Sequence, residues 1–91
     1  MPLGIYFAHG GFTPEKYQDA IGQLEAAGAG APEGRTLHVA LETDGHIDVF
    51  DIWESHESFE KFGATLMPIL AALGVELREP MIANVHNVIK G

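Results

Sequence analysis

Apolar residues recur along the chain with two different periodicities, which divide it into predicted strands and helices. The stretch from Leu3 to Ala8 is apolar and ends at Gly10-Gly11, so it predicts a first strand. Thr13-Pro14-Glu15 then offers a capping hydroxyl, a proline for the first turn and an early acid, which predicts the start of a helix. The apolar stripe of that helix is Tyr17, Ile21, Leu24 and Ala27, and Gly28 ends it.

The second part of the chain predicts a hairpin, another helix and a last strand. Strands over about 35–42 and 46–53 flank Asp44-Gly45, a dipeptide typical of two-residue hairpin turns. Ser55 and Glu57 predict the start of the second helix, with Pro68 producing a kink or break near Met67. The apolar stripe of this helix is Phe59, Phe62, Leu66, Leu70 and Leu73, and Gly74 ends it. A fourth strand is predicted from about Met81 to Ile89.

The order strand, helix, strand, strand, helix, strand is typical of the ferredoxin-like α+β fold. In that fold a four-stranded antiparallel sheet carries both helices on one face. With 91 residues, the chain is predicted to form a single domain over 1–91.

The Asp44-Gly45 turn also predicts which residues face each other across the hairpin. Counting outward from the turn places His38 opposite Asp51 and Thr36 opposite Trp53. One face then carries an apolar set, and the other carries the possible His–Asp pair. The apolar set is Leu37, Val39, Leu41, Phe50 and Ile52, and the second set is Thr36, His38, Ala40, Val49, Asp51 and Trp53.

Two helices can cover only one face of this sheet, so the apolar set predicts a homodimer that packs sheet against sheet. We expect the His38–Asp51 face to lie under the helices. For the first strand, the small neighbours of Tyr6 favour placing Tyr6 towards a cavity under the helices. Leu3, Ile5 and Phe7 would then pack in the dimer interface.

Charge and composition exclude several classes of partner. The net charge of −8 repels phosphate backbones and anionic lipids, so neither nucleic acid nor a membrane is predicted as a partner. The chain has no cysteine, which fits a cytoplasmic protein. The first ten residues lack the basic start and long apolar run of a signal peptide.

The candidate chemistry centres on His38. A carboxylate partner at Asp51 fixes the imidazole tautomer and strengthens it as a base, so the pair is either a catalytic base or a structural cross-strand contact. Tyr6 and His86 are candidate hydrogen-bond donors to a substrate, and the candidate pocket walls are Trp53, Phe59, Phe62 and Leu66. The five histidines have no spacing typical of a metal motif, so no metal and no cofactor are predicted.

The stretch VFDIWESHESFEKF, from Val49 to Phe62, resembles the antibiotic biosynthesis monooxygenase-type dimeric α+β barrels. The resemblance implies a two-sheet dimer that binds a flat hydrophobic molecule between sheet and helices. Trp53 matches a pocket tryptophan of the haem-degrading branch. That branch also has a strand-one asparagine and a histidine at the position of Gly63, and this chain has neither, which disfavours haem degradation.

Residues and resemblance together predict a small-molecule enzyme that abstracts a proton through His38. Its substrate would be hydrophobic, aromatic or polyketide-like. Its reaction would be that of a cofactor-free monooxygenase, a cyclase or an isomerase, because this fold supports several chemistries. The alternative is a non-catalytic dimer that binds a small molecule.

Overall fold

The computed structural model describes residues 2–91 and contains the six elements predicted from the sequence. The strands are β1 (Leu3–Phe7), β2 (Arg35–Thr43), β3 (His46–Trp53) and β4 (Met81–Asn84), and the helices are α1 (Pro14–Ala26) and α2 (His56–Ala72). All strand pairs are antiparallel, and the sheet has the order β2-β3-β1-β4. Both helices pack on one face of this sheet, so the predicted ferredoxin-like α+β fold is confirmed.

Both helices begin where their capping residues predict. The Thr13 side chain accepts a hydrogen bond from the Lys16 backbone N–H at 3.2 Å, and the Ser55 side chain accepts one from Ser58 N–H at 3.2 Å. α2 continues through Pro68 to Ala72, so the break considered near Met67 does not occur. The proline ring is exposed on the solvent side, where it does not disturb the packing of α2 on the sheet.

The hairpin has the predicted turn and, for most of its length, the predicted register. Asp44 and Gly45 both have positive φ angles, 50° and 77°, as a two-residue turn of this kind requires. His38 pairs with Asp51. A bulge between Arg35 and Leu37 then shifts the register, so that Arg35 rather than Thr36 lies opposite Trp53. The predicted Thr36–Trp53 pairing is therefore wrong, and the bulge turns Arg35 towards the helices.

The core lies between the sheet and the helices, and it corrects the predicted orientation of β1. Ile5 is opposite Asp51 and Phe7 is opposite Val49, so both face the helices and are buried in the core. Tyr6 faces the other way. Size alone suggested the opposite orientation, but the pairing of β1 with β3 decides it, because opposite residues share a face.

β4 is shorter than the predicted strand over 81–89. It ends at Asn84, which pairs with Leu3, the first residue of β1. One further backbone hydrogen bond joins Val85 N–H to the Pro2 carbonyl at 3.0 Å. The strand stops because its neighbour in the sheet begins at Leu3, which leaves later residues without a ladder partner.

The sheet face away from the helices carries apolar side chains that no element within residues 2–91 covers fully. We call it the open face. Leu37 is 41% exposed, Leu41 48% and Met81 66%. Val85, Val88 and Ile89 of the C-terminal segment line grooves beside it, together with Leu37 and Ile52. In the part of the chain that is described, no helix has the length and apolarity to cross a membrane.

Candidate functional site

A cavity of about 50 Å³ lies between the helices and the sheet. Strands β1, β2 and β3 form its floor, and α1 and α2 form its walls. Most of its lining is apolar, and Arg35 is the only lysine or arginine among the described residues that line it. The lining residues are Phe7, His9, Phe12, Tyr17, Ala20, Ile21, Leu24, Arg35, His38, Val49, Asp51, Phe62, Leu66 and Leu70.

His38 and Asp51 meet at this cavity as the hairpin register predicted. The distance from His38 Nδ1 to Asp51 Oδ1 is 2.6 Å, and the two side chains are 22% and 4% exposed. Trp53 donates from Nε1 to the second carboxylate oxygen at 3.3 Å. Because a carboxylate only accepts hydrogen bonds, Nδ1 of His38 carries a proton and Nε2 of the neutral ring presents a lone pair.

That lone pair is directed at Tyr17, whose hydroxyl oxygen lies 2.7 Å from Nε2 of His38. With His38 neutral, the hydroxyl must donate, so the hydrogen bonds run from Tyr17 to His38 to Asp51. Burial raises the pKa of Tyr17, with Asp51 adding to the rise and Arg35 opposing it. Tyr17 therefore remains a neutral phenol at this site.

Neighbouring rings hold Tyr17 in place. It packs edge-on against Phe12, with centroids 5.9 Å apart, and lies parallel to the His38 ring at 6.0 Å. The sequence placed Tyr17 only in the apolar stripe of α1. The one available signal was its hydroxyl, since a tyrosine on a buried stripe generally needs a hydrogen-bond partner.

Arg35 brings a positive charge to the same cavity because of the bulge in β2. Its guanidinium lies 5.8 Å from the centre of the Phe62 ring and donates to the Gly30 carbonyl at 3.3 Å. The alternation of β2 assigned this position to the open face, so Arg35 was missed. Nothing local in the sequence distinguishes a bulge at this point from a regular strand.

His9 also lines the cavity and is only 2% exposed. The backbone N–H of Arg78 donates to its Nδ1 at 3.0 Å, while its Nε2 has no partner among residues 2–91. Burial lowers the pKa of His9, and the Arg78 charge lowers it further. The signal available in the sequence was its spacing, because Ile5, Phe7 and His9 alternate onto one face.

Two of the four predicted pocket walls line the cavity. These are Phe62 and Leu66. Trp53 and Phe59 lie behind them in the core, with the Trp53 ring 5.8 Å from Phe59 and 5.2 Å from Phe62. Trp53 therefore supports the site by packing and by its hydrogen bond to Asp51.

Tyr6 and His86 do not reach the cavity, so their predicted placement there is corrected. Tyr6 lies on the open face, where its hydroxyl donates to Asp48 at 2.8 Å, and this hydrogen bond raises the pKa of Tyr6. Nε2 of His46 is hydrogen-bonded to Oδ1 of the same carboxylate, at 2.9 Å. His86 lies beyond the end of β4, is exposed, and borders a groove on the open face.

The residues that meet at the cavity can act as a base, a neutral donor and a cation. Across residues 2–91, no group of three or more histidines and carboxylates is arranged to hold a metal ion.

Comparison with solved structures identifies the class of fold. SnoaB, a cofactor-independent oxygenase from Streptomyces nogalater, matches with a TM-score of 0.64 and 17% identity over 99% of this chain and 96% of its own. A Chloroflexus aurantiacus protein described as a proposed antibiotic biosynthesis monooxygenase matches with a TM-score of 0.63 and 17% identity. The match covers 99% of this chain and 98% of that protein. The protein YJCS matches with a TM-score of 0.67 and 16% identity over 94% of this chain and 100% of its own.

The chain thus has the α+β fold of these proteins, and the expected resemblance to antibiotic biosynthesis monooxygenase-type proteins is confirmed at the level of the fold. Identities this low establish no more than the fold. A comparison with protein-family profiles gave no match, and neither did a comparison with curated proteins.

Proposed function

We propose that this protein is a cofactor-free enzyme that removes a proton from a hydrophobic small molecule, with His38 as the base. The observation that carries the proposal is the directed chain from Tyr17 to His38 to Asp51 at the wall of an apolar cavity. A carboxylate behind a histidine that faces a cavity fixes the tautomer and stabilises the imidazolium formed during proton transfer.

The substrate proton would go to Nε2 of His38 in place of the hydrogen bond from Tyr17. Because its pKa is raised, Tyr17 stays protonated, so it would act as a neutral donor to the anion that forms rather than as a base. Arg35 would add electrostatic stabilisation of that anion. The anion could then react with dioxygen, close a ring or shift a double bond.

The size of the cavity constrains the substrate. About 50 Å³ is far below the several hundred Å³ typical of pockets for drug-sized ligands. An aromatic or polyketide-like substrate would therefore enter only by widening the gap between α1 and α2, or by inserting one edge. A compact ring compound fits the proposal better than a large polycyclic one.

We also propose that the protein acts as a homodimer through its open face. Leu37, Leu41 and Met81 expose apolar surface there, on the side of the sheet that the helices leave free. A second copy of the same face would remove this surface from water.

The second candidate is a non-catalytic small-molecule-binding dimer. It is favoured by the fact that Tyr17 already satisfies the lone pair of His38, as expected of a structural trio of side chains. Turnover distinguishes the two, because a binder takes up ligand without removing a proton.

The proposal is tested by proton exchange at the α-carbon of 2-tetralone in deuterated buffer, followed by NMR. The wild-type protein should accelerate the exchange above buffer, and His38→Ala should lower the rate by about a hundredfold or more, the usual effect of a general base. Asp51→Asn should cause a similar loss, and the double variant little more, because the two residues act as a unit.

Tyr6→Phe is the matched control, since it removes a phenol hydroxyl from the other face of the sheet and should leave exchange unchanged. Tyr17→Phe removes the phenol at the site and should slow it. Exchange at the buffer rate, combined with saturable binding of 2-tetralone, would support the binding dimer instead.

A further inference from the structure

Among residues 2–91, His9 is the one buried polar side chain that lines the cavity and is not part of the chain Tyr17–His38–Asp51. It is almost completely buried, its Nδ1 is engaged by the Arg78 backbone, and its Nε2 has no partner among residues 2–91. An unpaired polar atom in a protein interior costs about 1–3 kcal/mol, so such an atom calls for a physical explanation.

The partners of His9 determine where its proton lies. A backbone N–H can donate only to a ring nitrogen that carries a lone pair, so Nδ1 of His9 is unprotonated and Nε2 carries the hydrogen. Burial, which lowers the pKa of His9, also favours this neutral form. The tautomer is the opposite of that of His38, whose proton is on Nδ1 and whose Nε2 is the acceptor.

We infer that Nε2–H of His9 binds the carbonyl oxygen of the substrate in the cavity that the His38 base also lines. This inference rests on the proposed function, and it assigns the substrate to the hydrophobic carbonyl compounds. A neutral donor in an apolar lining suits a neutral acceptor, because an ion at this position would have to give up its hydration among Phe7, Phe12 and Leu70.

The two histidines lie at different places along the sheet but line one cavity. His38 is level with Ile5 in the sheet, because both are paired with Asp51, and His9 is four residues further along the chain. β1 ends at Phe7, so His9 lies beyond the end of the strand, and both histidines line the same cavity.

The charge released when His38 removes a proton would reach the carbonyl oxygen at His9 by conjugation with the atom that loses the proton. When the substrate's C–H or O–H bond breaks, the proton goes to Nε2 of His38. The electron pair then spreads through the conjugated carbons to the carbonyl oxygen. The hydrogen bond from His9 strengthens as charge develops on that oxygen, and no oxidant is consumed in this step.

The test uses a pair of small probes that differ only in the acceptor. Cyclohexanone and methylenecyclohexane have nearly the same shape, but only the ketone accepts a hydrogen bond. The dissociation constants of both are measured by NMR titration. Relative to His9→Phe, the wild-type protein should prefer the ketone by about three- to tenfold, the usual worth of one hydrogen bond.

Two further variants make the result specific. His9→Gln keeps an acceptor for Arg78 N–H and a donor for the ligand, and should therefore retain part of the ketone preference. His56→Phe replaces an exposed histidine at the start of α2 and should leave the preference unchanged. A folded His9→Phe protein with the wild-type preference would overturn the inference.

A second measurement decides the matter if His9→Phe does not fold. In the wild-type protein, the NMR signal of the Nε2 proton of His9 should move downfield with cyclohexanone and stay in place with methylenecyclohexane. Equal responses to both probes would mean that this proton is hydrogen-bonded only to a buried water and not to the ligand, which would overturn the inference. The experiment needs no turnover, so a protein without activity at His38 can still support or refute the role of His9.

Discussion

Two histidines line one cavity, and their hydrogen-bond partners select opposite tautomers. Asp51 accepts a hydrogen bond from Nδ1–H of His38, which leaves Nε2 as an acceptor. The Arg78 backbone occupies Nδ1 of His9 and leaves Nε2 as a donor. Nε2 is thus a hydrogen-bond acceptor in His38 and a donor in His9, and the hydrogen-bond partners of each ring make the difference.

The lowered pKa of His9 predicts a specific dependence of stability on pH. Above the ordinary histidine pKa of about 6.5, His9 is neutral in both folded and unfolded chains and its contribution is fully present. Below that value His9 takes up a proton in the unfolded chain but stays neutral in the folded protein, because burial lowers the pKa of the folded-state His9. Stability is therefore lost as pH falls from about 6.5 towards the folded pKa.

Urea unfolding at pH 7.5 and 5.5 checks this prediction. The wild-type protein should lose more free energy of unfolding between the two pH values than His9→Gln, by at most about 1.4 kcal/mol per pH unit. His56→Gln, at an exposed position, should behave like the wild type. Equal losses in wild type and His9→Gln would show that His9 takes up a proton in the folded protein as readily as in the unfolded chain.

At the scale of elements, α2 combines good packing with two poor helix formers. Phe59, Phe62 and Leu70 are buried against the sheet on both sides of Pro68, and this packing holds the helix together. Pro68 itself lacks the N–H that would bond to the Ala64 carbonyl. Gly63 lies in the same helix with open space where a Cβ would be.

Replacing these residues should therefore stabilise the protein. Pro68→Ala restores a backbone hydrogen bond and should raise the free energy of unfolding by about 2 kcal/mol, after allowing for the extra freedom of the unfolded chain. Gly63→Ala should add about 0.5–1 kcal/mol. Chemical denaturation measures both. A loss of stability in Pro68→Ala would indicate that α2 is bent around the proline and that its packing depends on the bend.

At the scale of the whole molecule, the sheet has one face under the helices and one open face. The covered face supplies the core and the site, including Ile5, Phe7 and Trp53. The open face combines exposed Leu37 and Leu41 with a polar cluster in which Asp48 bonds both Tyr6 and His46. An apolar surface with a few satisfied polar groups is typical of a protein–protein interface.

Val39→Asp should dissociate the proposed homodimer. It places a charge in the middle of the open face and removes apolar burial worth about 1.5–3 kcal/mol in each copy. Association should weaken by at least about a hundredfold, as measured by sedimentation velocity at micromolar concentration. Ala40→Asp adds the same charge at the next residue, on the other face, and should leave the oligomeric state unchanged. A wild-type protein that sediments as a monomer would end the proposal.

The sequence by itself determined the elements, their order and one pair in the site. Capping residues at Thr13 and Ser55 fixed the helix starts because they act on backbone groups within one turn. The Asp44-Gly45 turn fixed the pairing of His38 with Asp51, because a two-residue turn leaves little freedom in the register beside it. These features depend on neighbours close in the chain.

Only the tertiary structure determined which other residues lie beside the His38–Asp51 pair. The orientation of β1 depends on its pairing with β3, about 45 residues away, so Tyr6 and Ile5 could not be assigned to faces from size alone. Arg35 reaches the cavity through a bulge. Tyr17 and His9 acquire their roles from His38 and Arg78, which are 21 and 69 residues distant in the chain. Hydrogen bonds over such separations exist only once the helices and sheet have packed, so no local pattern could specify them.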